Sequence, residues 1–548
     1  MSERILVCVA WPYANYLLHV GQIAGAYLPA DIFARFHRLR GNEVLMVSGS
    51  DCHGTPITVA ADREGVEPRA IVERYHPKIL ETWARLGISF DLYTWTLTEN
   101  HYRTTQEVFL RLLEKGLLYR ATTDQLYDPE AGRFLPDRYV EGTCPRCGYR
   151  EARGDQCDAC GATLDAIDLI EPRSRLTGAR PEVRPSEHFF LKLSAMEEPL
   201  RAWVSKQAHW RRHVLNFTLG WLEEGLKDRA ITRDISWGVP VPVEGFESKR
   251  IYVWFDAVIG YLSATREWAQ RSGDPEAWRR YWEDPAVKSY YFIGKDNIPF
   301  HTIIWPAMLM GYGGLNLPYD VPANQYVNFA AGQKQSKSKG TGTWVLDLLD
   351  VYDADVVRFY LASIMPETSD SEFREDELIR SNNEVLIATW GNLANRVISM
   401  VHRYFDGVVP DAAPDAPESA AVLRDADEAF ERIGAELEAV RFRSSLQEAL
   451  RLAQSGNRYL DQREPWRMVR EDRAHVAETL RTALDVVSAL AVLLHPFLPF
   501  STERLWAQLG HREPLPAAGW RRVPVVTGQK LGQPEALYRK LDAVAQAP

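Results

Sequence analysis

Four cysteines near the middle of the chain have the spacing of a metal site. Cys144 and Cys147 are followed by Cys157 and Cys160, so two Cys-x-x-Cys turns stand nine residues apart, each followed by a glycine. Each turn directs two thiolates at one point, and four thiolates close a tetrahedral zinc site without an open coordination position. The spacing therefore predicts one structural Zn²⁺ rather than a redox pair or a catalytic metal.

A second polar group follows the first apolar run of the chain. Residues 5–9 read as a buried parallel strand, and a helix is predicted over 23–40 with a kink at Pro29. His19, Gly21 and Gln22 lie between them. A glycine lets the backbone approach an anion and a histidine can donate to one, so this loop is suited to phosphate. The local sequence leaves a junction that binds nothing as an equal alternative.

Two acidic residues also follow apolar runs. Asp51 comes after a strand predicted over 43–47, and Asp296 comes with Gly294 at the end of a strand predicted over 289–296. Ligands of open α/β sheets bind at this edge, where Asp51 could pair with an ammonium group and Asp296 could hold ribose hydroxyls. A turn or helix-capping role is the alternative for both. Residues 250–257 are predicted to form another strand.

A basic loop and a helical region complete the candidates. Lys334 and Lys337 lie among serines and glycines, where they could neutralise a polyphosphate or belong to a solvated loop. Helical periodicity follows over 382–403, 423–440, 443–460, 466–469 and 476–494. Asn392 and Arg396 share a helical face, and Trp466 follows a helix-starting proline, so these side chains could read unpaired bases or pack the bundle.

The order of elements predicts the domain organisation. Strands and helices alternate over 1–115 and again over 232–325, which indicates two halves of one Rossmann-type parallel sheet. An insert with the zinc knuckle occupies 116–231. A region with the lysine loop covers 326–380, and an all-α bundle covers 381–548.

Size and composition restrict the class of protein. The chain has 548 residues with 46% hydrophobic residues and a formal net charge of −10, which excludes a strongly basic nucleic-acid coat protein. No signal peptide pattern follows Met1, and no apolar run has the length of a membrane span. We therefore expect a cytoplasmic protein without a membrane partner.

Two of these motifs together resemble the signatures of class I aminoacyl-tRNA synthetases. Residues 19–22, His-Val-Gly-Gln, resemble the HIGH motif, and residues 334–338, Lys-Gln-Ser-Lys-Ser, resemble the KMSKS loop. Gln22 replaces the second histidine of HIGH, and Gln335 replaces the methionine of KMSKS. The resemblance implies ATP-dependent activation of an amino acid on a Rossmann-type catalytic domain.

Further motifs resemble those of methionyl-tRNA synthetases, and the resemblance extends from residue 4 to about residue 510. Besides the zinc knuckle they are Trp-Pro-Tyr-Ala-Asn at 11–15, Asp-Cys-His-Gly-Thr-Pro at 51–56, Ser-Trp-Gly-Val-Pro at 236–240, Val-Trp-Phe-Asp-Ala at 253–257, Ile-Gly-Tyr at 259–261, Ile-Gly-Lys-Asp at 293–296, Asn-Leu-Ala-Asn-Arg at 392–396 and Pro-Trp at 465–466.

The resemblance implies a complete set of sites. Catalysis is assigned to His19, Gln22, Lys334 and Lys337. ATP is assigned to His19, Gly21, Gln22, Gly294, Asp296 and Lys337. Methionine is assigned to Trp11, Tyr13, Asp51, Trp254, Ala257, Tyr261 and His301. The anticodon is assigned to Asn392, Arg396 and Trp466 in the helical domain.

The implied reaction joins L-methionine to ATP as methionyl-adenylate, releases pyrophosphate, and transfers methionine to the 3′ end of tRNA(Met). The expected cofactors are the structural zinc ion and Mg²⁺ with ATP. No DNA partner is expected. Because the chain leaves no room for an appended dimerisation domain, we expect a monomer.

Two rival functions remain open. One is a class I synthetase for another amino acid, apolar or cysteine; the absence of a large editing insert argues against isoleucine, valine and leucine. The other is a tRNA- or nucleotide-binding relative that has lost catalysis.

Homocysteine is expected to compete with methionine, because one methylene gives a pocket only about 1–3 kcal/mol of discrimination.

Overall fold

The computed structural model describes residues 2–154, 157, 159, 160, 162, 164–329 and 343–542, with only the backbone of Asp137 and Phe329. The candidate residues Lys334 and Lys337 therefore lie outside the described residues.

The strands of the described chain are β1 (Arg4–Val9), β2 (Glu43–Ser50), β3 (Leu92–Trp95), β4 (Leu118–Asp128), β5 (Arg133–Phe134), β6 (Val140–Thr143), β7 (Ala152–Arg153), β8 (Ile170–Ser174), β9 (Glu182–Leu191), β10 (Arg229–Ala230), β11 (Thr232–Arg233), β12 (Arg250–Ile251), β13 (Lys288–Gly294), β14 (Ala323–Asn324), β15 (Val327–Phe329) and β16 (Ser371–Phe373).

The α-helices are α1 (Val20–Gln22), α2 (Leu28–Leu39), α3 (Thr55–Glu64), α4 (Pro68–Leu86), α5 (Glu99–Glu114), α6 (Glu197–Val204), α7 (Arg212–Glu223), α8 (Val253–Arg271), α9 (Arg279–Trp282), α10 (Trp305–Tyr312), α11 (Val345–Val351), α12 (Ala354–Ser363), α13 (Glu375–Arg380), α14 (Asn392–Phe405), α15 (Pro417–Glu438), α16 (Phe442–Arg463), α17 (Pro465–Met468), α18 (Arg473–Leu494) and α19 (Pro499–Gln508). π-helical segments cover Ile23–Tyr27, Phe300–Ile304 and Ser381–Gly391.

A five-stranded parallel sheet forms the centre of the catalytic half. Its strand order is β14-β13-β1-β2-β3, with Val9 of β1 opposite Phe292 of β13 and Cys8 opposite Val47 of β2. The apolar residues of β1 are fully buried, as in a parallel strand that is covered by helices on both faces. The predicted Rossmann-type sheet is confirmed.

The helix after the first loop is widened just before its proline. The Leu28 N–H donates to the Ile23 carbonyl oxygen, a π-type bond over five residues. Pro29 then stands in the first turn of α2, where it can be accommodated without an N–H. Where a kink was predicted at Pro29, the structure has a π-helical segment over Ile23–Tyr27, just before the proline.

The segment between the two halves of the sheet has its own β structure. A four-stranded antiparallel sheet in the order β10-β9-β4-β5 joins a three-stranded sheet in the order β7-β6-β8 that carries the cysteines. The core beneath the cysteines is small and contains Cys144 and Cys157 themselves. A core of this size is expected to need a metal ion to fold stably.

The C-terminal part is a helical bundle, as predicted. Helices α14, α15, α16 and α18 pack together, and their buried residues continue into the hydrophobic core under the parallel sheet. The bundle and the sheet thus share one apolar interior. Among the described residues, no helix combines the length and the hydropathy that crossing a membrane requires.

One predicted element is wrong. Residues 250–257 were expected to form a strand, but only Arg250–Ile251 does, and α8 begins at Val253. Tyr252 has an extended backbone and precedes the first turn of the helix. A run rich in aromatic and β-branched residues cannot be distinguished by pattern alone from a deeply buried helix, and α8 is buried on most of its circumference.

Candidate active site

The candidate residues gather where the strand order of the sheet reverses. The chain leaves β1 towards β2 on one side, while β13 pairs with β1 on the other side. The loops after β1, β2 and β13 therefore meet at the carboxyl edge of the sheet. A crevice at this position is the usual ligand site of open α/β sheets.

The loop after β1 is fastened to the end of β2. The Asp51 N–H donates to the Pro12 carbonyl at 2.9 Å, and the Ala14 N–H donates to the Asp51 carbonyl at 3.0 Å. The Trp11 ring lies so close to two glycines that a Cβ at Gly49 would stand 2.2 Å from it and one at Gly260 2.7 Å. Any side chain at these glycines would displace Trp11.

Asp51 is a buried carboxylate directly after the carboxyl end of β2. Its side chain accepts the His53 backbone N–H at 3.1 Å, and only 3% of the residue is exposed. Burial, reinforced by the Asp256 carboxylate, raises the pKa of Asp51 well above its ordinary value. Among the described residues no lysine or arginine forms an ion pair with it, so a cationic ligand would relieve this cost.

One face of α8 lines the adjacent space. Trp254, Ala257 and Tyr261 are spaced by three and four residues and therefore share a face of the helix. Trp254 stacks on Phe300 with ring centroids 4.1 Å apart and planes inclined by 8°. These aromatic side chains give the crevice an apolar wall.

The loop after β1 supplies the opposite wall. The rings of Tyr13 and Trp254 pack edge to face with their centroids 6.5 Å apart, and the rings of Trp11 and Tyr261 pack in the same way at 6.4 Å. The structure therefore packs the predicted aromatic residues against one another, next to the segment that carries Asp51. Aromatic surroundings of this kind suit a polarisable thioether.

His301 is a neutral, oriented part of this wall. Its Nδ1–H donates to the Asn297 carbonyl at 2.9 Å, which leaves Nε2 to accept from the Tyr261 hydroxyl at 2.7 Å. Burial lowers the pKa of His301 to about 4, so the ring carries no charge near neutral pH. The bond fixes the Tyr261 ring against the pocket.

The other end of the loop begins α1. His19 precedes this short helix, and its backbone N–H donates to the Gln22 side-chain oxygen at 3.2 Å. A Cβ at Gly21 would lie 3.1 Å from His19 Nδ1, so the glycine allows the imidazole to lie over the helix start. Gln22, predicted to act on ATP, has a visible role in holding this turn.

The first residues described after the lysine loop lie against the same turn. The Val20 N–H donates to the Thr343 carbonyl at 3.1 Å, and the Val345 N–H donates to the Leu18 carbonyl at 3.0 Å. Residues 343–345 therefore lie beside residues 18–20, at the turn that contains His19.

Gly294 is the last residue of β13, and Asp296 lies two residues beyond it, in the turn that follows the strand. A Cβ at Gly294 would meet no atom within 4 Å, so open space lies beside the backbone here. The Asp296 carboxylate accepts from the Tyr326 hydroxyl. This geometry shows that the carboxylate is placed to bind a hydroxyl group.

The four cysteines converge on one point. Their sulfur atoms all lie within 4.8 Å of one another, with 4.0 Å between Cys144 and Cys160 and 3.6 Å between Cys147 and Cys157. Sulfurs at the corners of a tetrahedron around zinc, about 2.3 Å from it, stand about 3.8 Å apart. The cluster therefore fits a tetrahedral zinc ion.

The three residues predicted to read bases lie together on the bundle. Asn392 is the first residue of α14, and Arg396 lies one turn further along. The Arg396 guanidinium lies 5.4 Å from the Trp466 ring centroid and pairs with Asp461 at 3.1 Å. Trp466 is exposed, so its ring is open to a stacking partner.

Sequence reasoning missed three buried polar residues next to Asp51. Asp256 lies between the imidazoles of His53 and His101, and all three are at most 2% exposed. His53 and Asp256 belong to the motifs 51–56 and 253–257, which was the available signal. Their meeting could not be foreseen because residues 53, 101 and 256 are distant in the chain.

Two family models match the chain. The model described as tRNA synthetases class I (M) matches residues 5–398, and the model described as anticodon binding domain of methionyl tRNA ligase matches residues 409–547.

Similar proteins are found in bacteria. The chain is 54% identical over 549 residues to a methionine–tRNA ligase of Dehalococcoides mccartyi, covering 99% of this chain and 98% of the relative. It is 52% identical over 577 residues to one of Roseiflexus castenholzii, with 99% and 97% covered. Among solved structures, Mycobacterium tuberculosis methionyl-tRNA synthetase in complex with methionyl-adenylate is similar, with a TM-score of 0.81, 27% identity, and 98% and 99% of the two chains covered.

Proposed function

The chain belongs to the methionyl-tRNA synthetase family of class I tRNA synthetases, and from this premise we propose how its residues divide the work. The protein is a ligase that activates methionine with ATP and charges tRNA with it. The assignment of roles rests mainly on Asp51. This carboxylate is buried beside aromatic side chains at the carboxyl edge of the sheet, and it has no cationic partner among the described residues.

Methionine is held at its two ends. The Asp51 carboxylate pairs with the α-ammonium group, which supplies the positive charge that this buried site lacks. Trp11, Tyr13, Trp254, Ala257 and Tyr261 enclose the thioether, and His301 fixes Tyr261 through its neutral Nε2. The carboxylate of the substrate is then left free to react with ATP.

ATP lies across the start of α1 and the end of β13. Gly294 leaves room for the nucleoside, and Asp296 accepts from the ribose hydroxyls in place of Tyr326. His19, Gly21 and Gln22 form the turn that meets the phosphates. We assign to Lys334 and Lys337 the neutralisation of phosphate charge, to which Mg²⁺ bound with ATP would add.

Catalysis requires mainly position and charge. The methionine carboxylate attacks the α-phosphate, and the bond to pyrophosphate breaks. This reaction needs no covalent intermediate with the enzyme. The role of His19, Lys334 and Lys337 is therefore to stabilise the negative charge that develops on the phosphates.

The zinc site has a structural role. Cys144, Cys147, Cys157 and Cys160 supply four thiolates, and four thiolates leave no open position for a substrate. Zn²⁺ held by these thiolates would stabilise the small hydrophobic core that contains Cys144 and Cys157.

The helical bundle binds the anticodon of tRNA(Met). Arg396 and the exposed Trp466 ring offer charge and a stacking surface, and Asn392 offers an amide on the same face.

We further propose the domain limits 1–115, 116–231, 232–325, 326–380 and 381–548, a monomer that binds no DNA, and a cytoplasmic location, where tRNA is charged.

Amino-acid-dependent ATP–pyrophosphate exchange tests the function. The purified chain, supplied with each amino acid in turn and then with homocysteine, is expected to exchange with methionine at least about a hundred times faster than with valine, leucine, isoleucine or cysteine. Exchange with homocysteine is expected to be weaker but measurable. Faster exchange with another standard amino acid would establish the first rival, and no exchange at all would establish an inactive relative.

The anticodon assignment predicts a split between the two half-reactions. Trp466→Ala is expected to lower kcat/KM for charging tRNA(Met) about 5- to 150-fold, the range for loss of one stacked base. Its tRNA-independent pyrophosphate exchange should stay within about twofold of the unchanged protein. Equal losses in both assays would show that Trp466 supports the fold and does not read the anticodon.

A further inference from the structure

A buried hydrogen-bond network lies directly behind Asp51. The Asp256 carboxylate accepts from His53 Nδ1 at 2.6 Å and from His101 Nε2, and it is fully buried. His53 Nε2 bonds to the Tyr102 hydroxyl at 3.1 Å, and His101 Nδ1 bonds to the Ser263 hydroxyl at 2.8 Å. Each imidazole thus has a partner on both nitrogens.

The network is joined to the methionine pocket at two places. His53 uses its backbone N–H to hold the Asp51 carboxylate and its ring to hold Asp256. At the other end, the Ser263 hydroxyl donates to the Gly260 carbonyl at 3.1 Å, and Gly260 is the residue on which the Trp11 ring rests.

Helix periodicity explains this arrangement. Asp256, Gly260 and Ser263 are spaced by four and three residues on α8, so they share a face. That face lies beside the one with Trp254, Ala257 and Tyr261, which lines the pocket. The helix therefore carries the pocket wall and the buried charge on adjacent faces.

The three residues His53, His101 and Asp256 have the donor set of a metal site, but their contacts are those of hydrogen bonds. Their ligand atoms lie within 4.8 Å of one another. Ligands about 2.1 Å from a tetrahedral ion stand about 3.4 Å apart. His53 Nδ1 and Asp256 Oδ2 are 2.6 Å apart, which is the distance of a short hydrogen bond to a carboxylate and too short for two ligands of one ion.

We propose that Asp256, held by His53 and His101, is a positioning residue that orients Asp51 and adds a second fixed negative charge for the substrate ammonium group. The proposal rests on the assignment of Asp51 as the ammonium anchor. Asp256 does not touch the substrate. It acts through His53 and through the field of its own charge.

The charge balance of the site supports this role. His53 bonds to both buried carboxylates, to Asp51 through its backbone N–H and to Asp256 through its ring. Burial alone would raise the pKa of Asp256, but the imidazoles of His101 and His53 hold it well below its usual range. Asp256 thus stays ionised. Its negative charge raises the pKa of Asp51, and a cation bound beside Asp51 would offset that cost. A ligand with an ammonium group gains from both charges, and a ligand without one gains from neither.

A pair of probes that differ by one group tests the proposal. L-Methioninol carries the ammonium group and the thioether, and methylsulfanylbutanol lacks only the amine. Dissociation constants for the whole enzyme can be followed by tryptophan fluorescence, since Trp11 and Trp254 line the pocket. Asp256→Asn is expected to weaken methioninol binding about tenfold and to change methylsulfanylbutanol binding by less than about twofold.

The substitution preserves shape while it removes charge. The amide of the asparagine offers one acceptor and one donor group, and either imidazole can move its proton to the other nitrogen to accept from that amide. Should Asp256→Asn fail to fold, Tyr102→Phe removes the partner of His53 Nε2 at a half-buried position. It is expected to weaken methioninol binding about threefold and leave the other probe unchanged.

Two reference variants separate the possible outcomes. Asp51→Asn is expected to weaken methioninol binding more than Asp256→Asn does and to leave methylsulfanylbutanol binding unchanged. If it does not, the assignment of Asp51 as the ammonium anchor fails. If Asp51→Asn is selective but Asp256→Asn weakens both probes equally, the network only supports the fold, and the proposal is overturned. Thr265→Val, a buried change on α8 whose hydroxyl bonds to the Tyr261 carbonyl, should change neither probe by more than about twofold.

Discussion

Asp51→Asn is expected to lower kcat/KM for methionine about 10²- to 10³-fold, with the KM for ATP within about twofold. The substitution keeps the size of the side chain and removes the charge that pairs with the ammonium group. Loss of one partner of a buried charge pair removes about 3–4 kcal/mol of binding. Pyrophosphate exchange at varied methionine and ATP concentrations measures both constants.

The pH dependence of the unchanged enzyme gives a second view of the same residue. Burial and the Asp256 carboxylate raise the pKa of Asp51 in the empty site. Below that pKa the carboxyl group must release a proton before it pairs with an ammonium group, so the KM for methionine rises as the pH falls. Asp51→Asn has no such proton to release, and its KM should lose this dependence.

A surface carboxylate provides the matched control. Glu73 is exposed and pairs with Arg69 on α4, so Glu73→Gln should change kcat/KM less than about twofold. A variant Asp51→Asn that keeps the methionine KM of the unchanged enzyme would rule out the ammonium anchor. An equal rise in both KM values would indicate a disturbed fold instead.

The sequence was sufficient where chemistry depends on local spacing. Two Cys-x-x-Cys turns determine where four sulfurs can meet, so the cysteine cluster was predictable from residues 144–160 alone. Residues that follow parallel strands meet at one sheet edge, so the common edge of His19, Asp51 and Asp296 was predictable from the polar residues that follow each apolar run.

Contacts between residues that are distant in the chain could not be predicted from the sequence. Trp11 was predicted to line the methionine pocket. Its position between Gly49 and Gly260 depends on the packing of α8 against β2, which the sequence does not show. The prediction of a strand over 250–257 hid the helical spacing that places Trp254, Ala257 and Tyr261 on one face. Gln22 was assigned to ATP by motif alone, and its bond to the His19 N–H is visible only in three dimensions.

A buried arginine joins the catalytic half to the helical bundle. The Arg358 guanidinium on α12 donates to the carbonyls of Leu86, Pro496 and Phe497 and to the Asp31 carboxylate at 2.7 Å. Neither Arg358 nor Asp31 is exposed. One side chain thus holds together the end of α4, helix α2 and the turn between α18 and α19.

Arg358→Ala is expected to lower the free energy of unfolding by about 3–5 kcal/mol, because it leaves three carbonyls unsatisfied and weakens the pairing of a buried carboxylate. Urea unfolding followed by circular dichroism measures the loss. Hydrogen exchange should locate it in α2, α12 and residues 494–499. Arg85→Ala, which removes an exposed ion pair with Asp350 in the same region, should change stability by less than about 1 kcal/mol.

Acid unfolding distinguishes the ion pair from simple loss of packing. Burial alone would raise the pKa of Asp31, but Arg35, Arg358 and Ser89 hold it well below the ordinary value of 3.8. A depressed pKa stabilises the fold above the unfolded-state pKa, and this stabilisation is lost as the pH falls towards the folded-state pKa. Arg358→Ala removes part of the depression, so its stability should fall less between pH values of about 5 and 2 than that of the unchanged protein. An equally steep fall in both would show that Arg358 contributes by packing and backbone hydrogen bonds alone.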